Sequence, residues 1–390
     1  MPKYLSERSK SLYPSKIREA LGKVKELKEQ GFEITDCTIG RPDFDTPQHV
    51  KEAAKKALEK GLIHYGPSSG TLEFREAVCY RYEQDYQLKF DSSNVVATVG
   101  SSQAINVALQ AVLNPEDEII VPEPMYVFYR GWIFLTGAKI VTFKPEKDFL
   151  PKAEEIEKNI TSKTKALLLT SPNNPTGQVI DTENLKKIAK VAVKYDLIVI
   201  ADDIYNKMFY DNVDYMPIAK VPGMRDRTII IGSFSKTYAM DGWRIGYIIA
   251  PKEIMPGIAK INQHMINCPN TFVQSAACAA LTGSQDCVKE MVVEFDRRRH
   301  LIMSHLDKMK IPYVKPRGAF YIFPSIKQFG LNSEEFYLYL LKEARVATVP
   351  GYAFGKAGEG HIRIAFSTSY KSIEKGLARM KVALEKLANK

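Results

Sequence analysis

The stretch TIIIGSFSKTYAMDGWRIGYIIA, residues 228–250, decides the fold. It opens on a β-branched run (228–231) and closes on a second apolar run, RIGYIIA (244–250), with hydroxyls and a lysine between them. Working outward, the same alternation recurs. LIVIA (197–201) follows the helical NLKKIAKVAVKY, and ALLLT (166–170) precedes a loop. EIIVP (118–122) leads into a proline-bounded segment, and VVATV (95–99) precedes SQAINVALQAVL. Continuous apolar runs separated by helical patterns indicate an α/β fold whose mostly parallel sheet is covered on both faces. The last hundred or so residues differ, with aromatic segments GAFYIFP (318–324) and HIRIAF (361–366) between helices. A final helix carries Ile373, Leu377, Met380, Leu384 and Leu387 at 3/4 spacing, and near the other end Ile17, Ala20, Leu21, Val24 and Leu27 share a helical face before Gly31. The expected organisation is a large domain over 46–285 and a smaller α/β domain built from both chain ends, 1–45 and 286–390.

Composition narrows the class. At 390 residues, 45% hydrophobic and 26% charged, the chain reads as an ordinary globular protein of two packed domains. No apolar run approaches the roughly 18 residues of a membrane span, and MPKYLSERSK lacks the apolar stretch of a signal peptide. Five cysteines without a CxxC pair argue against a disulfide framework and for a reducing cytoplasm. The formal charge of +10 is spread among interspersed Lys, Arg and Glu, as in KEAAKKALEK, so it reads as a solvated surface and not as a nucleic-acid or membrane site. The six histidines fit no metal-ligand spacing, and no metal is expected.

The unusual residues fall in the loops after the strands. Gly100-Ser101-Ser102 follows the first run, Tyr126 the second, and SPNNPTG (171–177) the third. Asp202-Asp203-Ile204-Tyr205 closes the fourth and Ser233-Phe234-Ser235-Lys236 the fifth. Ligands of open α/β sheets bind outside the carboxyl ends of the strands, so these loops should share one mouth. A lysine, a carboxylate, phenols, hydroxyls and an amide there suit pyridoxal 5′-phosphate (PLP). That cofactor needs an amine to link to, an acid at its ring nitrogen, donors at its 3-oxygen and a phosphate cradle at a helix N-terminus.

The motifs SFSKTYAMDGWRIGY (233–247), SPNNPTG, DDIY (202–205), IGRPDFDTP (39–47), HYGPSSG (64–70) and GAFYIFP together resemble the fold type I aminotransferases of class I/II, within the prokaryotic aspartate and aromatic branch. The resemblance implies PLP as cofactor, with Lys236 as the Schiff-base lysine and proton shuttle. It implies Asp202 at the ring nitrogen, Tyr205 and Asn174 at the 3-oxygen, and Tyr126 stacked on the ring. Ser101, Ser102, Ser233 and Arg244 resemble the phosphate cradle. Tyr65 resembles the tyrosine lent by the other subunit, which implies a homodimer with interfacial sites. Arg363 matches the grip on the substrate α-carboxylate, with the Gly40 backbone nearby and Lys16 on the segment that closes over the substrate. Two departures, Asp203 for Glu and Asp241 for Thr, match no catalytic role.

The expected reaction moves the amino group of an L-amino acid to a 2-oxo acid such as 2-oxoglutarate in two ping-pong halves. Ser102 stands where aspartate-preferring relatives carry a lysine for the distal carboxylate, and Tyr13, Tyr65 and Tyr126 offer an aromatic wall, so aromatic donors are expected over aspartate. On the residues alone, a PLP-dependent β-lyase or decarboxylase remains open, as does a non-catalytic binding protein on the same scaffold.

Overall fold

A computed structural model describes residues 4–12 and 16–388, without the side chains of 16–21 and 388. Tyr13 and the Lys16 side chain lie outside the described residues.

Seven strands form the central sheet: β1 Val95–Thr98, β2 Glu118–Pro122, β3 Lys139–Phe143, β4 Thr164–Thr170, β5 Ile198–Asp202, β6 Thr228–Ser233 and β7 Gly246–Ile249. Their spatial order is β1-β7-β6-β5-β4-β2-β3. β7 runs antiparallel to both β1 and β6, and every other pair is parallel. The β-branched runs become these strands because both faces are buried, so no polar alternation is needed. One face packs Val96, Ile200, Ile229 and Ile248 against Ile105, Ala108 and Leu109 of the helix Ser101–Val112. The opposite face meets Leu185, Ile188 and Ala192 of the helix Thr182–Lys194 through Leu167, Leu169 and Val199.

β3 is the strand that the sequence pattern does not announce. KIVTF lies at the sheet edge and none of its residues is fully buried, so its composition carries less of the apolar signal. RIGYIIA also shortens, because Arg244 adopts a left-handed conformation (φ 56°) and the strand begins only at Gly246.

Both chain ends meet on one further core. Val24 and Ile34 pack with Tyr337, Leu341 and Ala347, and Thr35–Asp36 pairs in parallel with Val346–Ala347. Ile373, Leu377, Met380 and Leu384 of the last helix bury against Phe295, Ile302 and Leu306 of the helix Asp286–Lys308. A three-stranded antiparallel sheet, Val349–Pro350, Ile362–Ala365 and Tyr321–Ile322, lies between that core and the mouth of the central sheet. No helix among the described residues is long and apolar enough to cross a membrane.

Gly232 and Tyr247 are register partners of β6 and β7, and a Cβ on Gly232 would lie 2.0 Å from the Tyr247 ring. That ring is edge-on to Tyr82 and Phe234 and cannot retreat freely. Gly232→Ala should therefore cost about 1–3 kcal/mol by overpacking, seen as a lower urea midpoint at unchanged slope. An unaltered midpoint would mean that this core yields more easily than its packing implies.

Candidate active site

The parallel strands end on one side of the sheet and their loops enclose a cavity of about 330 Å³. Its lining unites Gly40, Ser101, Ser102, Tyr126, Asn174, Asp202, Tyr205, Lys236, Arg244 and Arg363, residues drawn from almost the whole chain.

Each is placed by a short local device. β5 delivers Asp202 at its last residue, fully buried. Tyr129, opening the helix Tyr129–Thr136, donates a hydrogen bond to its Oδ2, and the Ile204 N–H reaches Oδ1 at 3.4 Å. Burial pushes this carboxyl up to about 6, while the Tyr129 hydroxyl, the Ile204 N–H and the Lys236 charge pull the other way. At neutral pH Asp202 is thus mainly ionised. Its neighbour Asp203 is pushed up to about 8 by burial and by the Asp202 charge, and stays neutral.

Lys236 projects from the short helix Phe234–Thr237 beyond β6, and its Nζ donates to the Gly40 carbonyl at 2.5 Å. Enclosure in the wall brings its ammonium down to about 8 against the pull of Asp241, with the Arg363, Arg244 and Arg41 charges acting in the same direction as enclosure. Asp241, expected to be without a role, lies on the cavity wall.

Gly100 caps the helix Ser101–Val112 at φ 76°, and a Cβ there would sit 2.5 Å from the Arg244 guanidinium. Glycine thus lets Arg244 lie against a helix N-terminus whose first two side chains are hydroxyls, a composition that suits a phosphate. One expectation needs correcting. Ser233 does not line the cavity; its hydroxyl accepts from the Ser235 N–H and caps the helix, and Ser235 faces the cavity instead. Tyr65 is not part of this lining and is 86% exposed.

Arg363 is 2% exposed. Its Nη1 donates to Asn174 Oδ1 at 3.0 Å and its Nη2 to the Thr38 carbonyl at 2.6 Å, while its Nε has no partner. The guanidinium lies over the Tyr321 ring at 4.6 Å. Among the described residues no carboxylate pairs with it, so a buried cation with a spare hydrogen on each Nη lines the cavity.

Residues that the sequence reading passed over also line the site: Ser235, Thr38, Ile105, Phe128, Trp132 and Tyr321. Phe128 and Trp132 stack at 5.8 Å and 25°, continuing an aromatic wall from Tyr126. Tyr321 lies within the GAFYIFP motif and Ser235 within the Ser233–Lys236 loop, which are the available signals; the others carry none.

Residues 33–380 match the family described as aminotransferase class I and II. The chain belongs to that family. It is 43% identical over 388 residues to aromatic-amino-acid aminotransferase 2 of Thermococcus litoralis, covering 98% of each chain. It is also 43% identical over 386 residues to the aspartate aminotransferase of Pyrococcus abyssi, covering 97% of this chain and 98% of the other. The solved aspartate aminotransferase of Thermus thermophilus with maleate superposes with a TM-score of 0.94 at 35% identity, over 98% of this chain and 100% of that one. This aminotransferase is a PLP enzyme of fold type I. The donor set fits the cofactor, with an amine, a buried acid and a hydroxyl-lined helix N-terminus beside an arginine.

The Lys236 amine has a pH signature. The unfolded chain keeps that proton up to about 10.5 and the folded, cofactor-free chain releases it near 8, so folding stability rises with pH between those values. Below that window the folded state pays for holding the ammonium. Cofactor-free Lys236→Met should therefore melt above the cofactor-free wild type at neutral pH, the gap closing once pH passes about 10.5. A gap that does not change with pH would show that the amine is not held against its charge.

Proposed function

We propose that this aminotransferase takes aromatic L-amino acids as its preferred donors and a 2-oxo acid such as 2-oxoglutarate as acceptor, in a ping-pong cycle at one site. The buried, carboxylate-free Arg363 beside Lys236 carries this reading, since it fits the α-carboxylate that every donor and acceptor shares. Bound PLP supplies the electron sink next to the substrate α-carbon.

The chain's own groups divide the remaining work. Arg363 holds the carboxylate, with the Gly40 backbone alongside. Asn174 gives its Oδ1 to Arg363, which leaves its Nδ2 to donate toward the cofactor 3-oxygen beside Tyr205. Asp202 serves the ring nitrogen, and Tyr129 keeps it oriented and ionised. Ser101, Ser102, Ser235 and Arg244 take the phosphate, and Tyr126 the ring face. Lys236, with its amine brought into the range where it exchanges protons readily, removes and returns the α-proton.

The side-chain preference rests on Ser102, which is uncharged where a distal carboxylate would seek a cation, and on the wall of Tyr126, Phe128 and Trp132. Exposed Leu62, Ile63 and Tyr65 form an apolar patch that supports a homodimer, in which Tyr65 completes the partner's phosphate site. The contacts of both chain ends with each other support a small domain of 1–45 and 286–390 beside a large domain of 46–285. Five free cysteines fit a cytoplasmic enzyme.

Arg363→Ala should raise the barrier for every donor by about 2–5 kcal/mol, read as kcat/KM, while PLP binding stays nearly normal. Loss of PLP with intact amino-acid affinity would assign Arg363 to a different task. For the preference, kcat/KM should be higher for Phe and Tyr than for Asp. Lys16→Ala should then lower only the aspartate value, if that lysine supplies a charge for dicarboxylates. Aspartate leading in the wild type would overturn the aromatic assignment.

A further inference from the structure

Tyr321 touches three parts of the site at once. Its hydroxyl lies 2.7 Å from the Tyr205 hydroxyl, and both rings are buried. Its ring carries the Arg363 guanidinium, and a Cβ on Gly40 would come within 2.5 Å of its oxygen, so the backbone that accepts from Lys236 is pressed against this phenol. Its own position is closely fixed. Gly177, at φ 69°, accepts from the Arg317 and Gly318 N–H groups, and Gln178 Nε2 donates to the Lys315 carbonyl, tying SPNNPTG to the strand that bears Tyr321.

We infer that Tyr321 is a positioning residue that donates its proton to Tyr205 and thereby sets how strongly Tyr205 donates into the cavity. Each phenol has a single hydroxyl proton with which to donate. Burial pushes both phenols above the ordinary tyrosine range, so each is neutral and carries one hydroxyl proton. If Tyr205 gives its proton to the cofactor 3-oxygen, it has none left for Tyr321. The 2.7 Å contact must then run from Tyr321 to the Tyr205 oxygen. A hydroxyl that accepts a hydrogen bond becomes a better donor, because the chain polarises in one direction. Tyr321 thus strengthens the Tyr205 donation and favours negative charge on the 3-oxygen.

This inference rests on the proposed role of Tyr205, and the experiment separates the two. The readout is the pH midpoint of the visible absorbance of the bound cofactor in the purified holoenzyme. Weakening donation to the 3-oxygen disfavours its negative charge and holds the chromophore's proton to higher pH. Tyr205→Phe should raise the midpoint. Tyr321→Phe, which keeps the ring under Arg363, should raise it by less, about half a unit to one unit for one net hydrogen bond. In the double variant the midpoint should equal that of Tyr205→Phe alone, because the relay has lost its second member. A normal midpoint in Tyr321→Phe, or shifts that add in the double variant, would overturn the relay while leaving Tyr205 in place. An unmoved midpoint in Tyr205→Phe would overturn the reading of Tyr205 itself, and the relay with it.

Discussion

The site is organised around a guanidinium buried, among the described residues, without a counter-ion. A charge taken out of water costs several kcal/mol unless other groups replace its hydration, and an ion pair with Asp or Glu is the usual remedy. Arg363 has instead the Asn174 amide oxygen, the Thr38 carbonyl and the Tyr321 ring face. These come from three distant segments, so holding the charge requires the loop after β4, the 38–40 segment and the Tyr321–Ile322 strand to dock together. That docking also presents Gly40 to Lys236 and Tyr321 to Tyr205. Nη1 and Nη2 each make one of these contacts and keep a second hydrogen, and those are the donors left for a ligand.

The two adjacent acids show how burial assigns opposite states to the same side chain. Asp202 receives the Tyr129 hydroxyl and the Ile204 N–H and feels the Lys236 cation, which keeps its carboxyl near 6 despite burial. Burial and the adjacent Asp202 charge raise Asp203 to about 8, so it stays protonated at neutral pH. Only one negative charge is therefore offered at the end of β5.

Much of this was legible in the sequence because it follows from short-range rules. The apolar runs end within two residues of the strand ends, and a parallel sheet places its loops at one mouth, which gathers Lys236, Asp202, Asn174 and Tyr126; Arg363 lies outside those loops and follows only from the family resemblance. What escaped was set by direction. Ser233 and Ser235 are both hydroxyls near a strand end, and only the turn of Phe234–Thr237 decides which one caps and which one faces the cavity. Tyr129, three residues beyond Tyr126, reads as helical core until its hydroxyl is seen on Asp202. β3 was missed for a similar reason, since an edge strand with half-buried residues has little apolar contrast.

The charge of the whole chain also finds a local meaning. An excess of ten positive charges does not mark a nucleic-acid surface when Lys and Glu alternate along the helices, where exposed pairs such as Glu183–Lys187 and Asp286–Lys289 are of small value. Inside the cavity the balance matters far more, because less water screens it. Burial does most to make the Lys236 ammonium the costly form, and Arg363 and Arg244, on the same lining, add to it with Arg41. The same cations favour a carboxylate and a phosphate, the two anions an aminotransferase must hold together. Asp241, pulling the other way on the cavity wall, limits how far the amine's proton affinity falls.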